Sequence, residues 1–143
     1  MIRLIASDVD GTLVKESTPW IYPEMLSAIR EWTDRGGYFC VASGRQYYSI
    51  RHMFEEVSDR IIYLAENGAH VRYQDKDILV RKIRRDYAEE LMIQLRQYDE
   101  CEIVVSSTEG SLIESRSTEF IKLIAEGYHN KYRLVEDVLA VPA

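Results

Sequence analysis

Cysteine is scarce in this chain: Cys40 and Cys101 are the only two in 143 residues. Two are too few for a disulfide framework, and Cys40 sits in the apolar run Tyr38-Phe39-Cys40-Val41-Ala42, where a buried free thiol is expected. Long hydrophobic runs are also missing. The apolar start Met1-Ile2-Arg3-Leu4-Ile5-Ala6 is interrupted by Arg3 and stopped by Asp8, too short for a signal peptide or a membrane span. Together these point to a reducing, cytoplasmic setting, with no membrane partner. Positive charge is in deficit. Eighteen basic residues against 24 acidic ones leave a net charge of -6. A nucleic-acid partner is therefore not expected, although a local basic pocket for a phosphate remains open. Internal repeats and low-complexity tracts are absent, and 46% hydrophobic with 29% charged residues is the balance of a globular domain.

Leu4-Ile5-Ala6 is a short apolar run ending in polar residues and Gly11, the pattern of a buried strand. Pro23 opens a segment in which Met25, Leu26, Ile29 and Trp32 share a helical face, stopped by Gly36-Gly37. Tyr38–Ala42 predicts a second buried strand. Tyr47, Ile50, Met53, Phe54 and Val57 predict a second helix, and 61–65 a third strand. This β-α-β-α-β order implies α/β architecture with a parallel sheet and right-handed crossovers. The pattern then changes. Val71 and Tyr73 alternate with polar residues, Gln74-Asp75-Lys76-Asp77 reads as a turn, and Ile78-Leu79-Val80 resumes, so a hairpin is expected. Asp86 with Glu89 resembles a capping box ahead of a helix carrying Ala88, Leu91, Met92 and Leu95. Strands are expected near 103–105 and 111–113, and a last helix around Phe120, Ile121, Ile124 and Tyr128. The change of pattern places one domain at 1–83 and a second, α+β, at 84–143.

Three strand ends carry chemistry. Asp8-Val9-Asp10-Gly11-Thr12-Leu13 follows the first strand. Carboxyl ends of strands in open parallel sheets are where ligands bind. Asp8 and Asp10 can both point into that crevice, one as nucleophile or metal ligand and the other as proton shuttle. A solvated acidic turn is the plainer alternative. Ser43-Gly44-Arg45 follows the second strand and leads into a helix. It reads as an anion site of hydroxyl and N–H groups, or, taken alone, as an ordinary helix cap. Glu66-Asn67-Gly68-Ala69 follows the third strand. Asn67 either reaches a ligand from the rim or simply closes an Asn-Gly turn.

The first of these segments resembles the leading motif of the haloacid dehalogenase superfamily. Ser43-Gly44-Arg45 resembles the second motif of its Cof-type phosphatase branch, and Glu66-Asn67-Gly68-Ala69 the segment after the third strand there. The likeness runs over 1–83, a Rossmann-like core, while 84–143 resembles an inserted, incomplete α+β cap by patterning alone. The resemblance implies a phosphoric monoester hydrolase. Asp8 would form an aspartyl-phosphate, and Asp10 would act as general acid and then base. Thr12, Ser43, Gly44, Arg45 and Asn67 would bind the substrate, a small phosphorylated metabolite. Mg²⁺ would sit on the Asp8 carboxylate and the Asp10 backbone carbonyl. Members of the family also carry a later phosphate-neutralising lysine and a Gly-Asp-x-x-x-Asp-like motif. Neither occurs here: Glu136-Asp137 lacks the glycine-led context, and Lys122 and Lys131 fall in the cap-like part. The expectation is therefore a fragment or truncated form of the enzyme. Its alternative is a catalytically inactive relative that binds a phosphate ligand or acts in assembly. Lacking partner strands, Leu4-Ile5-Ala6 would become an exposed edge and favour a homodimer, unless Val138-Leu139-Ala140-Val141 folds back as a covering strand.

Overall fold

A computed structural model describes residues 2–15 and 20–141. The chain divides into two compact units, Met1–Arg81 and Lys82–Ala143.

The first unit is a five-stranded sheet of order β1-β2-β3-β4-β5, built from β1 (Leu4–Asp8), β2 (Tyr38–Ala42), β3 (Ile62–Ala65), β4 (His70–Tyr73) and β5 (Lys76–Val80). β1, β2 and β3 run parallel, with Asp8 level with Ala42 and Ala42 level with Leu64. Two helices make the crossovers, α1 (Pro23–Asp34) and α2 (Tyr47–Met53). Pro23 stands in the first turn of α1, where its missing N–H costs no hydrogen bond. Leu26 and Ile29 bury that helix against the sheet. The core also gathers Val9, Val41, Ile50, Phe54, Val57 and Ile61, all shut off from solvent.

β4 and β5 continue the same sheet antiparallel, so the hairpin expected from the alternation extends the parallel core. Its turn is tighter than the four residues the sequence suggested. Gln74 and Asp75 alone form it, both with positive φ, the twist that matches two paired strands. Contacts around the buried His70 and Tyr47 tie the hairpin to α2. His70 shares a 2.8 Å hydrogen bond with Asp77, and the Arg72 guanidinium lies 4.5 Å over the ring of Tyr47.

β1 is the exposed edge expected of a chain without later partner strands, rather than the buried strand that its apolar run alone predicts. It lies at the sheet edge, and Leu4 and Ile5 are 53% and 39% exposed. A short apolar run predicts burial because strands of parallel sheets normally have neighbours on both sides. Among the described residues none pairs with its outer edge.

The second unit holds α3 (Arg85–Leu95), β6 (Val104–Ser107), β7 (Gly110–Ile113), α4 (Thr118–Lys122) and β8 (Tyr132–Leu134). β6 and β7 pair antiparallel, while β8 pairs parallel to β7. β8 escaped the sequence reading because Tyr132-Arg133-Leu134 is three residues long and exposed throughout. Asp86 is no capping residue. The first turn begins one residue earlier, at Arg85, and the Asp86 carboxylate is held by Arg84. Val138–Ala140 is a 3₁₀ turn and not the covering strand offered as an alternative for 138–141: Asp137 caps it through the Leu139 N–H.

Arg96 holds that turn in place, donating to Glu114 at 2.5 Å and to Asp137 at 2.6 Å. Arg96 and the Leu139 N–H keep the Asp137 carboxyl below its ordinary range. Such a group stabilises the fold above its unfolded pKa and ceases to as pH falls through the lowered folded value. Arg96→Met should therefore lower the melting temperature at pH 7. The gap to the native chain should close below about pH 4, where carboxylates protonate. Thermal melts at pH 7 and pH 3 check this.

Candidate active site

The carboxyl ends of β1, β2 and β3 each open into one of the three singled-out segments. Beyond β1, Val9 turns inward and is fully buried, leaving Asp8 and Asp10 on either side of it at the surface. The Val9 carbonyl accepts from the N–H groups of Thr12, Leu13 and Val14, at 3.2, 2.9 and 2.9 Å. That wraps the loop around a single oxygen. Gly11 makes the wrap feasible: its φ of +78° is strained for any side chain, and its N–H donates to the Val14 carbonyl at 2.8 Å. Leu13 and Val14 then drop into the core, while Thr12 stays exposed. One Asp8 oxygen accepts the Val9 N–H at 2.8 Å, which orients the carboxylate.

After β2, Ser43 is buried and its hydroxyl accepts the Arg45 N–H at 3.1 Å. Ser43 is therefore not the helix cap its position suggested. α2 starts only at Tyr47, with Gln46 at the cap position. After β3, Glu66 and Asn67 both take positive φ, 51° and 53°. Non-glycine residues hold this conformation only where surrounding contacts fix it. The contacts are visible: the Asn67 N–H donates to the Ser43 carbonyl and the Glu66 N–H to the Arg45 carbonyl, each at 3.1 Å. The Asn67 side-chain oxygen lies 3.0 Å from where a Cβ on Gly44 would stand, so glycine lets the amide close over this loop. Asn67 is thus more than the tip of a turn; it locks the second loop to the third.

Arg45 ties the first loop to the second. Its Nε lies 3.0 and 3.2 Å from the two Asp10 carboxylate oxygens, and its Nη2 2.7 Å from one of them. This bidentate pair holds the Asp10 carboxyl below its ordinary range; partial burial opposes the shift and the Ser43 hydroxyl assists it. Ser43, Gly44, Arg45, Asn67 and Asp10 thereby form one connected rim. Asp8 ends β1 level with Ala42, which immediately precedes Ser43. Thr12 lies in the Asp10 loop, with its N–H turned back to Val9.

The donors fit a hard divalent cation. Asp8 offers an exposed carboxylate, Asp10 offers main-chain and side-chain oxygen, and Mg²⁺ is commonly held by one or two carboxylates with water and phosphate filling the rest. Among the described residues, no group of three or more His, Cys, Asp or Glu is gathered as a metal site. The sequence reading overlooked Glu66, one of whose carboxylate oxygens is buried without a hydrogen-bond partner. A lone Glu beside an Asn-Gly pair gives no signal of that.

A family model described as haloacid dehalogenase-like hydrolase matches residues 5–139. The chain belongs to that family. Over 136 residues it is 27% identical to the 5-amino-6-(5-phospho-D-ribitylamino)uracil phosphatase YbjI of Escherichia coli, covering 95% of this chain and 50% of that protein. Over 95 residues it is 30% identical to the phosphatase YcsE of Bacillus subtilis, covering 66% of this chain and 38% of the relative. A solved structure from Eubacterium rectale superposes with a TM-score of 0.83 at 28% identity, covering 99% of this chain and 54% of that one. The chain spans half the length or less of these curated relatives. Within the family, the mixed α/β sheet is the expected framework, and no described helix is long and apolar enough to cross a membrane.

Proposed function

We propose that this chain carries the nucleophilic and phosphate-binding part of a hydrolase for phosphoric monoesters. The supporting observation is the meeting of three strand-end loops on one rim, with Arg45 bound to Asp10 and Asn67 locked onto Ser43.

In this reading a phosphate sits against the Ser43 hydroxyl, nearby N–H groups, Thr12 and the Arg45 guanidinium. The bound Asp8 oxygen anchors the carboxylate while its other oxygen attacks phosphorus. The new bond forms as the bond to the ester oxygen breaks, leaving an aspartyl-phosphate. Asp10, which must first take up a proton from solvent against the pull of Arg45, gives it to the departing oxygen, then takes one from the water that cleaves the intermediate. Mg²⁺ on the Asp8 carboxylate and the Asp10 carbonyl would neutralise phosphate charge. Substrates to test are small phosphorylated metabolites, including 5-amino-6-(5-phospho-D-ribitylamino)uracil, the compound in the names of curated relatives.

The decisive assay uses the longest natural polypeptide carrying this sequence. Phosphomonoester hydrolysis that EDTA abolishes is expected; no turnover across the panel refutes the reading. The 143-residue chain alone should show little such activity, because its sequence carries neither the family's later phosphate-neutralising lysine nor the Gly-Asp-x-x-x-Asp-like motif that would complete the Mg²⁺ site. Robust EDTA-sensitive turnover by the pure chain would mean that other groups complete the site.

The second reading is a non-catalytic protein that binds phosphate or acts in assembly. The exposed β1 edge favours it, since unpaired strand groups beside exposed Leu4 and Ile5 seek a partner strand. A homodimer is the simplest closed solution. Light scattering at micromolar concentration reads the mass. A dimer lost in Ile5→Lys supports this assembly, and a 16.7 kDa species unchanged by tenfold concentration excludes it.

A further inference from the structure

Two groups compete for the charge of Arg45. Its main chain belongs to the Ser43-Gly44-Arg45 loop, where the Arg45 N–H donates to the Ser43 hydroxyl and the Arg45 carbonyl accepts from Glu66. Its side chain leaves that loop and forks onto Asp10, engaging both carboxylate oxygens at 2.7 to 3.2 Å. The guanidinium is only 25% exposed, whereas Asp10 is 51% exposed. Backbone bonds from Asn67 and Glu66 fix the loop, so any rearrangement is confined to the side chain. A phosphate presents its oxygens to a guanidinium in the same planar fork as a carboxylate, and carries up to twice the charge.

We propose that Arg45 is an exchangeable clamp: a phosphate monoester docking on the Ser43–Arg45 loop draws the guanidinium off Asp10 and thereby frees both Asp10 oxygens. What the freed carboxylate does next rests on the phosphatase reading above; the exchange itself does not. Arg45 is in this account more than a phosphate ligand. It couples occupancy of the phosphate position to release of the group beside it. An anion that binds elsewhere leaves the clamp shut.

The coupling can be measured without turnover, on the 143-residue chain, with inorganic phosphate as probe at fixed pH and ionic strength. Four proteins form a double-mutant cycle: native, Asp10→Asn, Arg45→Met, and both together. Asp10→Asn removes the competitor for Arg45. It should strengthen phosphate binding about tenfold when Arg45 is present, and less than about threefold in the Arg45→Met background. Equal gains in both backgrounds would overturn the clamp, because relief of charge repulsion alone would then account for them. Failure of Asp10→Asn to strengthen binding at all would overturn it too. Arg45→Lys provides a second test that keeps the charge but loses the fork. The gain from Asp10→Asn should shrink there relative to Arg45, and an undiminished gain counts against a bidentate exchange. Phosphate binding with no coupling removes the clamp and leaves the phosphatase reading standing. No phosphate binding by any of the proteins, each confirmed folded by circular dichroism, overturns the clamp, while the hydrolysis assay on the longer polypeptide decides the phosphatase reading separately.

Discussion

Asp8→Asn is expected to abolish phosphomonoester hydrolysis by an active polypeptide containing this chain, with a loss on the order of 10⁴–10⁶-fold, the scale seen when a covalent nucleophile is removed. The amide is nearly the same shape and its oxygen can still accept the Val9 N–H, so the loop around Val9 should hold. What disappears is the anionic oxygen that attacks phosphorus. Asp8 is exposed at the end of a strand, so the substitution should shift stability by less than about 0.5 kcal/mol, and lost activity cannot be blamed on unfolding. Asp10→Asn should behave differently. Proton transfer contributes roughly 10²–10⁴-fold, so a slow enzyme should remain. The expected order is native, then Asp10→Asn, then Asp8→Asn, with para-nitrophenyl phosphate hydrolysis as the readout. Appreciable turnover by Asp8→Asn would sink its role as nucleophile. A reversed order would mean that the two carboxylates had exchanged parts.

The sheet was legible where hydrophobic period and punctuation agree. Tyr38–Ala42 is an apolar run ended by Ser43-Gly44, and it forms the central one of the three parallel strands, with Phe39, Cys40 and Val41 buried. Pro23 opens α1 in its first turn. Legibility failed where structure depends on distant partners. Leu4-Ile5-Ala6 has the composition of a doubly covered strand, and its exposure followed from the absence of later partner strands rather than from its own pattern. Tyr132-Arg133-Leu134 forms β8 because β7 offers an edge, not because of its own alternation. Asp86 and Glu89 have capping-box spacing, but Arg84 claims the Asp86 carboxylate and the helix starts elsewhere.

The site divides in the same way. Residue types at strand ends marked Asp8, Asp10, Ser43 and Arg45 as candidates, because chemistry and position coincide there. Their connections were not legible. Nothing in the spacing pairs Arg45 with Asp10, 35 residues away. Nor does it show that Asn67 adopts positive φ to lock onto Ser43. These links arise from register: Asp8 beside Ala42 and Ala42 beside Leu64 bring three loop starts into line. Parallel pairing thus places the loops, and side-chain reach decides what joins them.

The largest effect on stability should come from a residue that touches no ligand. Phe54 is fully buried, immediately after α2, where its N–H donates to the Ile50 carbonyl and its own carbonyl accepts the Val57 N–H. It closes the end of the helix that begins just beyond Ser43-Gly44-Arg45, and it packs in one cluster with Ile29, Ile50, Val57 and Ile61. Phe54→Ala removes the ring and leaves a cavity that these stiff neighbours fill poorly, a loss of about 3–5 kcal/mol. Domains of this size hold roughly 5–15 kcal/mol in total, so the substitution should remove much of the stability of the first unit. With a urea slope of about 1–3 kcal/mol per molar, the unfolding midpoint should fall by at least about 1 M. Leu91→Ala is the control: Leu91 is 53% exposed on α3, and its midpoint should barely move. Because Phe54 anchors α2 behind the Arg45 loop, phosphate binding should weaken together with the loss of folded protein, and recover where low temperature restores the fold. A Phe54→Ala chain as stable as native would mean that the loops at the site are held by something other than this core.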